Sequence, residues 1–426
     1  MPHVMLAGVG ETMQYVVHDY NDNTIRFILR YPGAVDAAIL CRAAEAVVMS
    51  VDILHASFCP GKLRGWWKVN TTLPQESYFT HIQTDGDIMA AAIACAVRPV
   101  EPGSLCQLHC SLVQGAEECA VVVNISHLCV DGTDGKYLLG KIAEAYELIR
   151  ATGSAAGLAV KNGNRAAEQV YEQLTRQEMR SLLHSPLGGV KTTFPYPTQE
   201  PGEPRMTLQT IPAATMAAAR ARAKTEDATA NDLLLAACYQ SFARLAGLES
   251  GTPVSVMGMM DLRRHCKDGD SAGLSNMAGS LCTALREGVG EDFSHTLAQV
   301  AQQTRAAKED PMAGLEGMPL VHGAAKALPL AVLLKCVGWL YGSFSIGLTN
   351  LGSIPCDDLA LGGLAPVDGA FGGPLKKKPA MQVSTASFHG NCCLCVAGQY
   401  TRQDAEKLQA LLDGMAESIA QYAANA

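Results

Sequence analysis

Short runs of alternating apolar and polar residues predict β-strands in the first 150 residues of the chain. The segment TIRFILRY (24–31) alternates and is rich in β-branched and aromatic side chains. SLCQLHCSLV (104–113) and CAVVVNISH (119–127) have the same character, and the polar segment QGAEE between them predicts an antiparallel hairpin. Apolar residues recur every three or four positions in 32–54 and in 133–150, which predicts two helices.

The second half of the chain repeats this mixture after a change in composition. Residues 151–204 carry clusters of Gly, Ser, Asn and Pro, which predict a linker with one short helix near 165–183. The elements predicted after it are strand 206–211, helices 214–225 and 228–247, strand 253–265, helix 292–310, strands 344–354 and 381–400, and helix 402–426. We therefore expect an α/β (α+β) protein with an N-terminal subdomain at 1–150, the linker at 151–204 and a C-terminal subdomain at 205–426.

Composition agrees with two folded subdomains and excludes several classes of protein. A chain of 426 residues is long for one core, and its 48% hydrophobic content is enough for two. The net charge of −8 argues against a nucleic-acid-binding surface along the whole chain, although a local basic patch could still hold a small anion. We expect no membrane span and no signal peptide, since neither a run of 18 apolar residues nor a basic start followed by a long apolar segment occurs.

The 15 cysteines have no disulfide-like spacing, which predicts reduced thiols and a cytoplasmic location. Two clusters, CQLHC (106–110) and NCCLCV (391–396), raise the question of a metal site. Both lie in predicted strands, where alternate side chains point to opposite faces, so we expect no metal to be bound there.

The segment NISHLCVDG (124–132) is the main candidate for chemistry. A predicted strand ends at His127, a turn follows through Asp131 and Gly132, and a predicted helix begins. Histidine titrates near pH ~6.5 and is suited to proton transfer at neutral pH, and Gly132 is expected to supply a backbone angle that other residues avoid. A histidine at a strand end is also commonly a hydrogen-bonded structural residue, so these residues alone leave both interpretations open.

HLCVDG fits the HxxxDG motif and thereby resembles the chloramphenicol-acetyltransferase-like acyltransferase superfamily. Strand, motif and helix follow in the expected order, about one third of the way along the chain. Four further segments, in the same order, resemble condensation domains and alcohol O-acetyltransferases: FILRYPGAVDAAILCRAAEAVV, TANDLLLAACYQSFARL, VMGMMDLRRH followed by SNMAG, and GLTNLGSI. The resemblance implies two acetyltransferase-like subdomains, each a mixed sheet with flanking helices, and an active-site tunnel between them.

One position departs from the condensation-domain pattern. Those domains usually carry two consecutive histidines, and Ser126 stands at the first of them here. The departure weakens the resemblance to condensation domains more than the resemblance to acyltransferases. His322 and His389 lack the following Asp-Gly, so one active site per chain is implied.

By this resemblance, His127 is the general base that takes a proton from the attacking group. The backbone of Gly132 and the side chain of Asn350 are expected to donate hydrogen bonds to the oxyanion. Cys129 lies inside the motif, but a nucleophilic thiol would compete with His127 acting as a base, and we do not favour it.

The resemblance also implies a structural ion pair beside the base. Asp131 is expected to pair with the arginine of the Asp-Leu-Arg segment, which is Arg263; Arg264 is the adjacent alternative. Removing one partner of a buried pair costs about 3–5 kcal/mol, so this pair is expected to hold the shape of the site.

Lys376, Lys377 and Lys378 form a compact basic run. They are expected either to contact the phosphates of coenzyme A or of a phosphopantetheine carrier, or to be a solvated loop. No permanently bound cofactor is expected, because the acyl thioester would be a co-substrate.

We therefore expect an acyltransferase that transfers groups other than aminoacyl groups, from acyl-CoA or an acyl carrier protein to a small-molecule alcohol or amine. Two alternatives stay open at this point. One is a stand-alone condensation-type domain that forms an amide between carrier-bound partners, and the other is a non-catalytic binding protein with the same fold. Two subdomains in one chain are compatible with a monomer.

Overall fold

The computed structural model describes residues 3–184, 189–267, 272–341 and 346–425. Residues 185–188 of the predicted linker, the first two residues of the predicted strand 344–354 and the last residue of the predicted closing helix lie outside the described part. Within it, no helix is both long and apolar enough to cross a membrane.

The described strands are β1 Val4–Leu6, β2 Thr24–Tyr31, β3 Ala56–Cys59, β4 Trp66–Val69, β5 Phe79–Gln83, β6 Leu108–Gln114, β7 Cys119–Ser126, β8 Glu203–Ile211, β9 Val254–Asp261, β10 Ala278–Leu285, β11 Ile346–Ser353, β12 Asp368–Gly372, β13 Met381–Phe388 and β14 Asn391–Tyr400. The described helices are α1 Val9–Val16, α2 Ala37–Met49, α3 Ile88–Ala96, α4 Gly132–Thr152, α5 Arg176–His184, α6 Ala213–Thr225, α7 Ala230–Ala246, α8 Phe293–Glu309, α9 Met318–Ala327, α10 Leu330–Tyr341 and α11 Arg402–Ala424. The predicted mixed α/β fold class is confirmed.

The first large sheet has the strand order β12-β2-β7-β6-β5 and carries the HxxxDG segment. β6 and β7 form the predicted antiparallel hairpin, and β7 also pairs antiparallel with β2, placing Thr24 opposite Ser126. α4 packs closely against this sheet at Gly135. A Cβ added to this glycine would come within 2.8 Å of Phe27. α4 begins at Gly132, the last residue of the motif.

The second large sheet has the strand order β10-β9-β11-β13-β14-β8 and its own hydrophobic core. α7, one of its helices, begins at the N-cap Thr229, which exchanges hydrogen bonds with Asp232 in a capping box. The prediction of a single strand over 381–400 is wrong. This segment is a hairpin of β13 and β14, and its turn is made by His389 and Gly390, both with positive φ angles.

The second half of the chain also contributes a strand to the first sheet. β12 pairs antiparallel with β2, and the side chains of Asp368 and Arg30 form an ion pair across the two strands. The Tyr31 hydroxyl donates to the Leu359 carbonyl at 2.9 Å, in the segment that leads into β12. The predicted boundary at 205 therefore does not separate the two cores cleanly, and the two halves are tied together on one side of the site.

A third, smaller sheet has the order β1-β4-β3. The predicted linker includes a short 3-10 turn, Ala167–Tyr171, and α5. These two elements correspond to the short helix that the sequence predicted near 165–183.

Candidate active site

A cavity of about 340 Å³ lies between the two halves of the molecule. Its walls come from α1, the end of β7, the start of α4, the facing ends of β9, β10 and β11, and the segment that follows β12. His127, Asp131, Gly132, Asn350 and Lys376 all line it, so five of the eight predicted site residues come together at one place.

The imidazole of His127 is held in one orientation at the end of β7. Its backbone N–H donates to the Asn23 carbonyl at 2.7 Å, and its Nδ1 lies 2.7 Å from the Val130 carbonyl oxygen. A carbonyl can only accept, so Nδ1 carries the proton and Nε2 is the unprotonated nitrogen. Nε2 has no recorded hydrogen-bond partner among the described residues, which leaves this basic nitrogen for a ligand in the cavity.

The environment of His127 favours the neutral imidazole. Burial is the largest influence and lowers the pKa of His127; the charge of Lys376 lowers it further. The Val130 carbonyl and the Asp131 carboxylate act in the opposite direction without reversing the effect. His127 is therefore in its basic form at neutral pH.

Asn276 is a contact of the base that the sequence analysis did not assign. Its Nδ2 donates to the His127 carbonyl at 3.1 Å and lies 3.2 Å from Nδ1 of the same residue. Because Nδ1 already donates its proton to Val130, the bond to the carbonyl is the one that holds the motif against the second half. The SNMAG segment was a signal for this position, but its spacing alone does not say what the asparagine touches.

The predicted ion pair is present. Arg263 Nη1 lies 2.8 Å from Asp131 Oδ2, and its side chain is 12% exposed against 6% for that of Asp131. The other Asp131 oxygen accepts the backbone N–H of Asp134, so Asp131 is also the N-cap of α4. Arg264 points elsewhere and donates to the Lys308 carbonyl at 3.0 Å. With its oxygens engaged in these bonds, Asp131 is placed to hold the loop.

A second buried carboxylate, Asp134, completes this network. It lies 2.9 Å from Arg263 Nη2, accepts from the Ser275 N–H at 2.7 Å and contacts Lys161. Burial, and after it the charge of Asp131, raises the pKa of Asp134 above its usual value. The sequence signal was the spacing DGTD, since a carboxylate at the third residue of a helix is common, but its two cationic partners are far away in sequence.

Gly132 is required for space. It is the first residue of α4 and is not among the positive-φ glycines, so the expected unusual backbone angle is absent. A Cβ at this position would lie 3.0 Å from Leu351 Cδ1 and 3.6 Å from Phe371 Cζ. The motif glycine therefore lets α4 approach β11 and the residues after Asn350.

We expect Gly132→Ala to destabilise the protein by about 1–3 kcal/mol, because the added methyl overpacks against Leu351. Gly140→Ala is the matched control on the same helix. Its Cβ would meet nothing within 4 Å, so it should stabilise by about 0.5–1 kcal/mol. Chemical denaturation of the two variants checks this, and equal effects would contradict a steric role for Gly132. Leu351→Ala should restore part of the loss.

Asn350 lies on β11 with its amide fixed by two donors. The Gly352 N–H and the Thr385 hydroxyl donate to its Oδ1 at 2.9 and 3.0 Å. Its Nδ2 lies 3.5 Å from Asn231 Oδ1, which is the long limit for a hydrogen bond. The amide hydrogens of Asn350 are therefore the donors that this strand offers to the cavity.

The three lysines do not act together. Lys376 lines the cavity, whereas the Lys378 ammonium lies 2.8 Å from Asp404 with a side chain only 8% exposed. Lys378 also donates to the Thr198 carbonyl at 3.0 Å, so it joins the linker to α11. Lys377 is partly exposed and is not a cavity residue. Lys378 is held in its own ion pair, so of the three lysines Lys376 alone lines the cavity, and a contact of Lys376 with phosphate stays a prediction.

A nucleophilic Cys129 and a metal site in the CQLHC segment were the other two kinds of chemistry raised by the sequence. Cys129 is buried with its thiol toward the Ile53 carbonyl, and burial raises its pKa, which disfavours the thiolate. The described residues contain no group of three or more His, Cys, Asp or Glu side chains arranged to bind a metal. In the CQLHC segment, His109 Nε2 lies 3.1 Å from the Thr80 hydroxyl.

No family model and no curated protein matches this sequence. Solved structures do match it over nearly its whole length. Polyketide synthase associated protein 5 from Mycobacterium tuberculosis has a TM-score of 0.68 at 15% identity, with 98% of each chain covered. The first condensation domain of the calcium-dependent antibiotic synthetase has a TM-score of 0.69 at 15% identity, over 98% of this chain and 97% of that one. The trichothecene 15-O-acetyltransferase from Fusarium sporotrichioides has a TM-score of 0.66 at 11% identity, over 98% and 94%. The chain therefore has the two-subdomain, chloramphenicol-acetyltransferase-like fold of condensation domains and of this acetyltransferase.

Proposed function

We propose that the protein is an acyltransferase that moves an acyl group from a thioester to an alcohol or amine. The observation that carries the proposal is the orientation of His127. Its Nδ1 is held by the Val130 carbonyl, and the basic Nε2 is left for a ligand in a cavity between the two halves. A neutral alcohol is a weak nucleophile, and a positioned base of this kind contributes about 10²–10⁴ in rate.

In this reaction, Nε2 of His127 takes the proton of the acceptor as its oxygen or nitrogen attacks the thioester carbonyl. The resulting oxyanion needs donors that are already in place. The Asn350 amide, fixed by Gly352 and Thr385, supplies one. The start of α4 at Gly132 supplies a second, since the first N–H groups of a helix have no partner within it. The protonated His127 then returns its proton to the leaving thiol.

The thioester donor is proposed to be acyl-CoA or an acylated phosphopantetheine carrier. Lys376 is a positively charged residue in the cavity wall, and its charge lowers the pKa of His127. A single lysine would assist either donor, so the donor is decided by assay.

The proposal is tested by a thiol-release assay with separate arms for acyl-CoA and for acylated carrier protein. Each arm is run with alcohol acceptors, with amine acceptors and without acceptor. Acceptor-dependent thiol release in either arm, absent from His127→Ala, supports the proposal. Binding of thioesters without thiol release in any arm would identify a binding protein of the same fold and overturn it.

A condensation-type reaction between two carrier-bound partners is the second candidate. The similarity of the fold to condensation domains over the full length of the chain favours this candidate. These domains include one from a polyketide synthase, with a TM-score of 0.67. Ser126, which stands in place of the first histidine of their usual motif, argues against it. Amide formation only from carrier-bound partners, with no release from free acyl-CoA, would favour this candidate over the first.

Lys376→Met is expected to raise the pKa of His127, since the lysine charge lowers it. The base is active when neutral, so kcat/KM falls as the pH drops through the pKa of His127. The acid limb of the profile should therefore move to higher pH in Lys376→Met. Lys377→Met is the matched control and should leave the limb in place. A limb that is the same in wild type and Lys376→Met would contradict the electrostatic contact.

A further inference from the structure

A second chamber, of about 200 Å³, adjoins the candidate active-site cavity. The two share Gln14, Ala278 and Ser280 in their walls. Ala278 and Ser280 project from the same face of β10, because side chains two residues apart on a strand point the same way. Asn276, which contacts His127, lines the second chamber as well. The second chamber therefore borders the cavity that holds His127.

The walls of this chamber are largely apolar. They include Met13 from α1, Val170 from the linker, Met277 beside β10, and Met318 and Val321 from α9. Methionine side chains adapt their shape to a flexible apolar group. Taking about 30 Å³ for each non-hydrogen atom, the space fits an apolar group of roughly six atoms.

One buried polar group interrupts the apolar walls. His322 is 7% exposed, lines the chamber and has its Nδ1 3.0 Å from the Tyr171 hydroxyl. The Tyr171 hydroxyl can donate to Nδ1 or accept from it; where it donates, the proton of His322 lies on Nε2. Burial lowers the pKa of His322, which keeps the ring neutral. In that tautomer, Nε2–H has no hydrogen-bond partner within the described part of the chain, so it can donate to a ligand in the chamber.

The charges around His322 indicate which acceptor would suit this donor. Glu316 lines the same chamber, and Glu168 lies close enough to influence the pKa of His322 while itself pairing with Lys326. A carboxylate on the ligand would be repelled by the negative charge of Glu316. A neutral oxygen, in a ketone, hydroxyl or ether, would accept from Nε2–H without that repulsion.

We propose that the second chamber binds an apolar group of roughly six atoms that carries a neutral oxygen acceptor near its end, with His322 as the recognising donor. This proposal rests on the proposed function, because it assigns the chamber to one of the two reactants. The group belongs either to the acyl chain of the donor or to the acceptor. Both have the same chemistry at the chamber, and the experiment separates them.

The test measures binding by titration calorimetry, with ligands that cannot react. The donor arm compares the hexanoyl and 5-oxohexanoyl amides of N-acetylethylenediamine, in which an amide replaces the thioester. The acceptor arm compares hexan-1-ol with 6-hydroxyhexan-2-one. In one of the two arms, the ligand with the ketone should bind wild-type protein roughly three- to tenfold more tightly than the ligand without it. This is the range expected for one neutral hydrogen bond.

His322→Phe should abolish the preference for the ketone, and Tyr171→Phe should reduce it, since the proton on Nε2 is no longer fixed. His295→Phe, at an exposed position on α8, is the matched control and should keep the preference. Val321→Phe should weaken binding of the six-carbon ligands in that arm but not of a two-carbon ligand of the same class, which is the acetyl amide of N-acetylethylenediamine in the donor arm and ethanol in the acceptor arm.

A preference for the ketone that survives in His322→Phe would overturn the proposal, as would failure of every ligand to bind wild-type protein. If the ketone preference holds and depends on His322 while no thiol release occurs, the chamber assignment stands and the proposed acyl transfer fails. If turnover occurs but ligand binding does not depend on His322, the proposed acyl transfer stands and the chamber assignment fails.

Discussion

Replacing His127 with alanine is expected to lower kcat by about 10²–10⁴-fold and to leave the protein folded. The expectation follows from the geometry of the ring. Val130 fixes the proton on Nδ1, and burial keeps the imidazole neutral, so Nε2 is a base before any substrate binds. Asp131, the other titratable residue of the motif, is not expected to take the acceptor proton, because it is engaged by Arg263 and by backbone N–H groups.

The measurement is steady-state thiol release at saturating donor, together with thermal unfolding of the same preparations. His295→Ala, an exposed histidine replaced in the same way, controls for the substitution itself. Loss of the acid limb in the residual activity of His127→Ala would identify His127 as the titrating group. A variant that retains full activity and a normal pH profile would eliminate the base assignment.

Much of the fold and part of the site were predictable because their signals are local. The strand Thr24–Tyr31 was predicted to the residue, since alternation and β-branched side chains act within a few positions. His127 and Asp131 were found from one short motif in its strand-to-helix setting. Arg263 was found from the resemblance of a second segment, and the structure places it 2.8 Å from Asp131.

What the sequence analysis missed depends on contacts between distant segments. β12 is a short strand with the sequence DGAFG, and two glycines in five residues give almost no strand signal. Its stability comes from pairing with β2, more than 300 residues earlier in the chain. For the same reason Lys378 looked like part of a phosphate site, whereas its buried partner Asp404 lies on the last helix. Local charge runs do not reveal which lysine is already paired.

The second large expected effect is on stability. Asp131→Ala should lower the free energy of unfolding by about 3–5 kcal/mol, because it leaves Arg263 buried with one partner removed. It also removes the N-cap of α4, which adds about 0.5–2 kcal/mol. Native proteins are stable by about 5–15 kcal/mol, so this variant should lie close to the unfolding threshold.

Two variants separate the ion pair from the cap and from exposed charges. Asp131→Asn keeps a good N-cap residue and loses only the charge, so it should be less destabilised than Asp131→Ala. Asp261→Ala removes another neighbour of Arg263, at 3.2 Å, but its side chain is 44% exposed and the expected loss is below ~1 kcal/mol. Equal losses in Asp131→Ala and Asp261→Ala, measured by denaturant unfolding, would show that burial of the pair does not matter.

The same variants test whether Asp131 acts in proton transfer or only on shape. Its charge raises the pKa of His127, so Asp131→Asn should move the acid limb of kcat/KM to lower pH. A proton relay through Asp131 would instead lower kcat at every pH, since His127 would still titrate but could not pass its proton on. The double variant Asp131→Asn with Arg263→Met should be less destabilised than the sum of the single changes, because it leaves neither buried charge without its partner. Asp134, at the start of α4, then keeps Lys161 of the linker as its partner, which is why we expect that double variant to fold.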